Sequence, residues 1–380
     1  MASPKIAIIG AGPAGVTLAR ILLQNNIKDI TIFEQEKSRH HRTQGGSLDL
    51  HPTTGQLAIQ EAGLFDEFQK YARYESEDFI LVDKTGKRHI EILDQDTGRP
   101  EIDREKLRMI LLDSVPDSII RWDTKVKRVE VGTLELADGT NETGFDLIVG
   151  ADGAWSKARA LLSHVGPFYS GISGYEMMFR DVDKKHPEIS KMVGRGSFFA
   201  LGGDGRCLLA QRQGDGSFKL LTAASKAENW VSDMGYDPDD TENVRKILLE
   251  DYKDWAPELR RLIELGDDDF WYRPLYMLPV GMEWRHKAGV TLIGDAAHLM
   301  TPFAGEGVNN AMADALSLAK CIIKNPSDLG AASLEYEKEM FPRAEDTMAR
   351  TWRNLQDREE KEGVGSSGCR ERGTEGAGDF

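Results

Sequence analysis

The segment Gly10-Ala11-Gly12-Pro13-Ala14-Gly15, close to the start of the chain, decides the class of fold. It follows Lys5-Ile6-Ala7-Ile8-Ile9, a β-branched run typical of a buried parallel strand, and precedes residues 16–23, which have helical spacing. In such a turn Gly10 permits the tight reversal, Gly12 lets the backbone approach a pyrophosphate, and Gly15 allows the helix to pack closely on the strand. The N–H groups at the helix N-terminus attract the anion. The segment, with Pro13 and Ala14, therefore predicts a dinucleotide-binding turn.

A carboxylate follows at the distance expected for such a unit. The predicted strand Ile30-Thr31-Ile32-Phe33 ends at Glu34, which matches the acidic residue that binds a ribose hydroxyl about 20 residues after the glycine motif. An isolated G-x-G-x-x-G could also be a turn that binds no nucleotide. The strand, the helix and Glu34 favour the nucleotide-binding interpretation.

Composition sets broad limits on function. The chain has 380 residues, 40% of them hydrophobic, which is enough for two domains with proper cores. A net charge of −15 argues against nucleic-acid binding and against stable association with anionic membranes. The three cysteines form no CxxC pair and the histidines form no HxxxH pattern, so we expect no metal. Glycines and a proline interrupt the apolar run 6–23, and no basic segment precedes it, so we expect neither a membrane span nor a signal peptide there. We expect the protein to be cytoplasmic and monomeric.

The order of strand and helix patterns predicts a discontinuous nucleotide domain. Residues 76–99 and 169–287 have strand-like, turn-rich sequence. A predicted buried strand that ends in Gly294-Asp295 then returns to the strand-and-turn pattern of the nucleotide domain. The predicted fold is α/β: a Rossmann-like domain of residues 1–75, 100–168 and 288–330, an inserted and largely antiparallel substrate domain of residues 76–99 and 169–287, and C-terminal helices. Residues 331–361 are predicted as a helix. Residues 362–380 contain six glycines and no apolar face, which predicts a disordered tail.

Shorter patterns predict individual helices. Apolar spacing indicates one helix over residues 55–71 and another over residues 241–255. A third helix begins after Asp103, whose side chain is a plausible N-cap.

Three motifs in sequence order carry a family resemblance: Gly10 to Gly15, Ala151-Asp152-Gly153 and Gly294-Asp295. With them the chain resembles the class A flavoprotein monooxygenases of the para-hydroxybenzoate hydroxylase-like group, over roughly residues 4–345. Within that group, residues 44–51, 107–112 and 294–309 are most similar to the tetracycline-inactivating monooxygenases. The resemblance implies that the bound dinucleotide is FAD.

The resemblance also implies roles for individual residues. Asp49 and Arg108 would contact FAD, and Asp295 would bind its ribityl or pyrophosphate region. The alternatives are a solvated helix charge for Arg108 and a helix cap for Asp295. Arg42 matches a position implicated in NADPH binding, although a solvated basic cluster over residues 37–42 fits nearly as well. Asp152 is linked in the family with both FAD and NADPH, and its alternative is a simple turn.

A loop late in the chain would lie beside the isoalloxazine ring. Its backbone N–H groups, at the start of a helix, would stabilise negative charge on the reduced flavin. The residues implied are Pro302, Gly305, Gly307, Val308 and Asn309.

Two departures from the family pattern stand out. Gln35 replaces an arginine that many relatives place at the adenosine end, which predicts weaker FAD binding. The chain also ends in a glycine-rich tail where relatives continue a helix that bridges the two domains, which predicts weaker closure of the substrate domain.

The chemistry implied by the resemblance is hydroxylation. NADPH would reduce FAD, the reduced flavin would capture O2 as a C4a-hydroperoxide, and the distal oxygen would pass to a phenolic, enolic or polyketide-like small molecule. A tetracycline-like compound is one candidate. No general base is identified. A reductase, an oxidase or a halogenase on the same fold, and a non-catalytic NAD(P)-sensing Rossmann protein, are the alternatives.

Substrate contacts are expected from the strand-rich domain. Because strand register is unknown, core packing or solvent exposure is the alternative for each residue. Lys219 stands where the tetracycline-inactivating group has a histidine. The positions considered are Phe179, Arg180, Gln211 and Lys219, with Phe198, Phe199, Met277 and Pro279 as further lining residues.

Overall fold

A computed structural model describes residues 3–41, 45–94, 97–235, 237 and 240–356. In these residues the strands, in chain order, are β1 (Ile6–Ile9), β2 (Ile30–Phe33), β3 (Ser47–Asp49), β4 (Phe79–Asp83), β5 (Arg88–Ile92), β6 (Glu101–Asp103), β7 (Ile120–Arg121), β8 (Val126–Glu130), β9 (Thr133–Leu136), β10 (Asn141–Thr143), β11 (Leu147–Gly150), β12 (Phe168–Phe179), β13 (Ser197–Leu201), β14 (Cys207–Arg212), β15 (Phe218–Ser225), β16 (Phe270–Met277) and β17 (Val290–Leu292).

The α-helices of the same residues are α1 (Pro13–Gln24), α2 (Gly55–Glu61), α3 (Phe65–Gln69), α4 (Arg104–Asp113), α5 (Arg159–Leu162), α6 (Val182–Lys185), α7 (Pro187–Val193), α8 (Trp230–Asp233), α9 (Thr241–Asp251), α10 (Pro257–Glu264), α11 (Asp295–His298), α12 (Gly307–Lys324) and α13 (Leu329–Gln356). Short 3₁₀ turns lie at Tyr74–Ser76, Asp117–Ile119 and Pro302–Ala304.

A five-stranded parallel sheet forms the first layer, with strand order β17-β11-β1-β2-β7. All four residues of β1 are buried, because a parallel sheet of this kind is packed on both faces, and the side chains packed in the same core include those of β8 and β9 as well as those of helices. Numbered along the chain, the order is 3-2-1-4-5, which places the reversal of winding between β1 and β11. Ligands of doubly wound sheets bind at the carboxyl ends of the strands at this point. The predicted α/β Rossmann-like class is confirmed.

The second layer is a seven-stranded sheet of order β16-β12-β15-β14-β13-β4-β5. Its neighbours are antiparallel except β13 and β4, which pair in parallel and so attach the 79–92 hairpin to the inserted sheet. Side chains alternate between its faces: Phe218 and Leu220 pack in a core with α6 to α10, whereas Lys219 and Leu221 point the other way. The largely antiparallel inserted sheet matches the expectation.

Several predicted boundaries differ from the observed ones. The expected helix over 55–71 is two helices, α2 and α3, separated at Gly63 with φ +66°. The helix expected over 241–255 is shorter: α9 ends at Asp251, and a separate helix, α10, begins only at Pro257. Asp103 does stand before α4, but its carboxylate accepts from the Gly214 N–H at 3.0 Å and pairs with Arg73, so it ties β6 to the inserted sheet and does not cap the helix.

The last helix reaches from one layer to the other. Near its start, Tyr336 donates to the Leu292 carbonyl at 2.9 Å. Near its end, Trp352 and Leu355 pack against apolar residues of the seven-stranded sheet, and the Trp352 ring lies edge-on to Phe168. Within the described residues α13 therefore bridges the layers. The tail at 362–380 lies outside those residues.

No helix in the described part of the chain combines the length and apolar character needed to cross a bilayer. The same residues contain no group of three His, Cys, Asp or Glu side chains arranged to hold a metal ion.

Candidate active site

A cleft of about 970 Å³ separates the carboxyl ends of the parallel sheet from the inward face of the seven-stranded sheet. Four segments that follow parallel strands or begin helices line it: the turn after β1, the end of β2, the turn after β11 and the segment from 293 to 308. The topology thus brings together motifs nearly 300 residues apart.

The glycine turn is built by close backbone contacts. Gly10 has φ +108°, and a Cβ there would lie 2.3 Å from the Ala151 carbonyl oxygen. A Cβ on Gly15 would lie 2.2 Å from the Gly10 oxygen, so helix and strand approach as the motif predicts. At Gly12 a Cβ would meet no protein atom within 4 Å and would project into the cleft. Gly12 also begins α1 without a side-chain cap, so the helix N–H groups face the cleft.

The end of β2 carries two buried carboxylates. Glu34 accepts from the Ala11 N–H at 2.7 Å and from the Glu36 N–H at 2.8 Å, so it is tied to the glycine turn. Glu36 accepts from Arg108 at 2.6 Å, and both side chains are buried. Arg108 is therefore an ion-paired residue of the cleft wall and not a solvated helix charge. Glu36 was missed in the sequence, although it lies two residues after the predicted Glu34.

The turns that contain Asp152 and Asp295 are joined by Arg159. Asp152 accepts from the Ser156 hydroxyl and the Lys157 N–H, both at 2.6 Å. Buried Arg159 donates to the Ala296 carbonyl at 2.9 Å and to the Ala154 carbonyl. One guanidinium thus fixes the spacing of two cleft loops.

Asp295 lies at the floor of the cleft, where its side chain reaches the cleft surface. Asp295 is exposed to the cleft, but the many protein atoms around its carboxylate displace part of its hydration and raise its pKa, while the nearby His298 opposes the shift. A ligand hydroxyl is a suitable partner for such a group, because it can donate to the carboxylate without adding charge.

A buried ion network supports the Asp295 turn from behind. Asp314 accepts from the Gly294 N–H at 2.7 Å, from His298 Nε2 at 2.6 Å and from Arg343 at 3.0 Å. Burial acts against the charged form of Asp314, but His298 and Arg343 outweigh it and its pKa is lowered. For His298 burial is likewise outweighed by Asp314, and its pKa is raised. These positioning residues lie on α11, α12 and α13. His298 is part of the 294–309 motif but had no predicted role, and no local pattern marked Asp314 or Arg343.

A second helix N-terminus faces the cleft. The α12 helix has no side-chain cap, and Gly305, Gly307 and Val308 line the cleft near its start. Asn309 is fully buried: its side chain accepts from the His51 N–H at 2.8 Å and donates to the Asp49 carbonyl at 2.9 Å. Asn309 thus holds β3 against α12 and does not line the cleft, whereas the other four residues implied for this loop do.

The α13 helix holds the same loop from its other side. Arg350 donates to Glu306 at 3.1 Å, and Asn354 donates to the Phe303 carbonyl at 3.1 Å. Pro302, next to this contact, lines the cleft.

Comparison with known proteins decides the family. The model of the FAD binding domain family matches residues 4–351. The chain belongs to the FAD binding domain family.

Two fungal monooxygenases align with this chain over nearly their whole length. Monooxygenase penA of Penicillium thymicola is 36% identical, and monooxygenase asqM of Emericella nidulans is 34% identical. Each alignment covers 92% of this chain and 94% of the relative. The protein is therefore an FAD-dependent monooxygenase, and the resemblance to the class A flavoprotein monooxygenases is confirmed.

Solved structures share the fold. Klebsiella pneumoniae HpxO, complexed with FAD and uric acid, has a TM-score of 0.76 and 21% identity, with 93% of this chain and 88% of that chain covered. The tetracycline destructase Tet(51) has a TM-score of 0.67 and 20% identity, with 92% and 90% covered. At this identity the likeness shows the fold alone.

The cleft residues fit FAD on chemical grounds. The backbone around Gly12 leaves space for a pyrophosphate next to the α1 N-terminus, whose N–H groups and dipole favour an anion. Asp295 offers a carboxylate to the hydroxyl groups of such a ligand. Gln35 lines the cleft next to Arg108. The weaker adenosine contact expected from Gln35 stays a prediction, as do the cofactor roles of the other residues.

A polar cluster joins β3, β6 and β14 at the cleft. Asp49 and Glu101 are directly opposed partners on β3 and β6. Glu101 accepts from the Ser47 hydroxyl and from Gln211 at 3.2 Å. Burial and the Asp49 carboxylate raise the pKa of Glu101 to about 7. Glu101 was missed because its burial depends on a strand partner 52 residues away.

The inward face of the seven-stranded sheet forms the remaining wall. Of the predicted substrate residues, Phe199, Gln211 and Lys219 line the cleft. Sequence reasoning missed Glu176 and Arg273 on the same face, which are also cleft residues.

The other predicted substrate residues lie elsewhere. Phe179 and Phe198 are buried in the core on the opposite face, because each has the other strand parity. Arg180 is half exposed at the end of β12 and pairs with Asp267 at 3.1 Å. Met277 is buried and Pro279 is exposed, and neither lines the cleft. Arg42 lies outside the described residues.

Proposed function

We propose that this FAD-dependent monooxygenase takes electrons from NADPH and hydroxylates a phenolic, enolic or polyketide-like small molecule, with tetracycline-like compounds among the candidates. One observation carries the proposal: the residues that fit FAD and the inward sheet face border one cleft. That face combines apolar side chains with two polar predicted residues. The apolar ones are Phe199, Leu209, Leu221 and Leu275, and the polar ones are Gln211 and Lys219.

Each wall of the cleft has a separate task in this proposal. Bound FAD supplies the redox chemistry with NADPH and O2. The protein residues bind and orient: the glycine turn and the α12 N-terminus present N–H groups, and Asp295 presents a carboxylate. The apolar sheet face excludes water from a planar ring bound there.

The names of two solved relatives support the substrate class. HpxO holds uric acid and Tet(51) is a tetracycline destructase, and both ligands named are ring systems with keto or hydroxyl oxygens. A non-catalytic NAD(P)-sensing role does not agree with the family and with the monooxygenase relatives. A reductase, an oxidase or a halogenase does not agree with the monooxygenase relatives either, and analysis of the product distinguishes each of them from a monooxygenase.

The test uses the purified full-length protein. We expect a yellow protein that contains FAD and whose oxidation of NADPH rises with one member of a panel of phenols, enols and tetracyclines. Under ¹⁸O2 the product should be two mass units heavier than under ¹⁶O2. The same panel with NADH measures the coenzyme preference, and protein without ligand gives the uncoupled rate.

Three results would contradict the proposal. A protein that takes up no FAD removes its basis. Formation of H2O2 with no oxygenated product for any ligand indicates an oxidase. A chlorinated or brominated product in the presence of halide indicates a halogenase.

A further inference from the structure

Three charged residues form one group on the inward face of the seven-stranded sheet. Glu176 lies on β12, Lys219 on β15 and Arg273 on β16, and β12 is the strand between the other two. On β15 the register partner of Glu176 is Leu221, two residues after Lys219. On β16 its register partner is Trp271, two residues before Arg273. Such diagonal positions lie within reach of long side chains, and all three residues line the cleft.

The group holds two cations around one carboxylate. Glu176 Oε1 lies 2.7 Å from Lys219 Nζ, and Glu176 Oε2 lies 2.7 Å from Arg273 Nε. When all three are ionised, the group carries one net positive charge. Burial lowers the pKa of Lys219, and the positive charges of Arg104 and Arg273 act in the same direction against the effect of Glu176.

Lys219 carries the part of this charge that is largely removed from water, because its side chain is 23% exposed whereas that of Arg273 is 47% exposed. Leu209, Leu221 and Leu275 share the same face and give the region an apolar wall. A charge removed from water is unfavourable unless it is paired and hydrogen-bonded. Lys219 shares Glu176 with Arg273, so an anionic oxygen from a ligand would give Lys219 a further partner.

The two-stranded ribbon formed by β3 and β6 lines the same cleft, and its Glu101 carboxylate has partners outside this group. Glu101 accepts from Ser47 and Gln211 and is stabilised in its charged form by Arg73. The ribbon approaches Lys219 through backbone instead: a Cβ on Gly46 would lie 3.6 Å from Lys219 Nζ. Lys219 is thus placed between the sheet and the ribbon, close to the ligand space.

We propose that Lys219 and Arg273 bind an ionised oxygen of the substrate, a phenolate, an enolate or a carboxylate, and that Glu176 positions both cations and competes with that oxygen. The enzyme is then specific for acidic substrates bound as anions. This inference rests on the proposed function, since it names the substrate class of the same cleft. An ionised ring oxygen also makes the ring carbons richer in electrons, which suits transfer of oxygen to carbon.

The test measures binding of matched probes to the FAD-loaded enzyme at pH 7. The probes are benzoate with benzamide, and 4-hydroxybenzoate with its methyl ester, and the readout is the change in the flavin absorption spectrum. We expect the anion of each pair to bind at least 10-fold more tightly than its neutral partner. Equal affinities, or no detectable binding of either anion, would overturn the inference.

Variants separate a binding role from a structural one. Lys219→Met should weaken benzoate binding at least 10-fold, and Lys219→Arg should retain most of it. Glu176→Gln removes the competing carboxylate and should tighten benzoate binding. If the three residues served only to stabilise the fold, benzoate binding would weaken in both Lys219→Met and Glu176→Gln. That result would refute the inference.

Two controls complete the design. Lys226→Met removes another lysine of the same sheet, which pairs with Asp251 at 2.7 Å and does not line the cleft, and it should leave benzoate affinity unchanged. FAD content is measured for every variant. Enzyme that binds FAD and hydroxylates a neutral compound, with no preference for anions, would refute this inference alone, whereas enzyme without FAD would refute the proposed function.

Discussion

Replacing Gly12 with alanine should weaken FAD binding and leave the apoprotein stable, whereas replacing Gly10 with alanine should destabilise the fold. The two glycines belong to one turn but differ in what a methyl group would meet. A Cβ on Gly12 contacts no protein atom within 4 Å, and its backbone has φ −79°, which any residue adopts. A Cβ on Gly10 would lie 2.3 Å from a backbone oxygen, at φ +108°.

The magnitudes follow from these environments. For Gly12→Ala, a gain of about 0.4–1 kcal/mol from the less flexible unfolded chain roughly offsets the poorer N-cap, so stability should change by less than about 1 kcal/mol. Loss of one hydrogen bond to a phosphate, about 1.5–3 kcal/mol, corresponds to roughly 10- to 150-fold in the Kd for FAD. For Gly10→Ala, overpacking and backbone strain each cost about 1–3 kcal/mol, so the free energy of unfolding should fall by about 2–6 kcal/mol.

Two measurements check the pair of variants. Urea unfolding of the apoprotein gives the stability, and quenching of flavin fluorescence gives the Kd. Gly139→Ala is the matched control, because Gly139 has φ +90° in an exposed turn where a Cβ meets nothing within 4 Å. It isolates the cost of the backbone conformation from the cost of the close contact.

Either of two results would show the reasoning to be wrong. Unchanged FAD affinity in Gly12→Ala would mean that the pyrophosphate does not approach this turn. Equal destabilisation by Gly10→Ala and Gly139→Ala would mean that the contact with Ala151 adds nothing.

Three further predictions concern buried polar groups. Arg108→Met should lower the free energy of unfolding by about 3–5 kcal/mol because it removes the cation from a buried ion pair with Glu36, and adding Glu36→Gln should recover part of the loss in urea unfolding. The raised pKa of Glu101 means that the folded state binds an extra proton between the ordinary glutamate pKa and about 7, so this group destabilises the fold as pH rises through that window. Glu101→Gln should therefore gain stability relative to wild type between pH 5 and pH 8, by up to about 3 kcal/mol, and a pH-independent difference would contradict this. Asn309→Ala leaves the buried His51 N–H without its acceptor and should cost about 1–3 kcal/mol in thermal or urea unfolding, whereas an unchanged midpoint would show that another group takes over.

Local sequence patterns predicted most of the fold. The glycine turn, β1, β2 and α1 follow from residue type and spacing within about 30 positions, since hydrophobic periodicity and glycine geometry act locally. Helix boundaries were less predictable. Gly63 divides α2 from α3 although the apolar spacing continues through it.

Strand parity limited the prediction of the substrate wall. Phe198 and Phe199 are neighbours in the chain, yet one is in the core and the other lines the cleft. A shift of one residue in register exchanges the two faces of a strand, and the sequence of the inserted domain is apolar enough on both faces to leave the choice open.

The sequence by itself determined a dinucleotide-binding turn at Gly10 to Gly15, the family, and the α/β layers, because these depend on short-range geometry and on motif order. The tertiary structure decided which charges meet. Asp314 reaches the Gly294 turn from 20 residues away, and Glu176 pairs with Lys219 only because β12 and β15 are neighbours in the sheet. Ion pairing depends on distances of a few ångströms between side chains remote in sequence, and only the folded chain sets those distances.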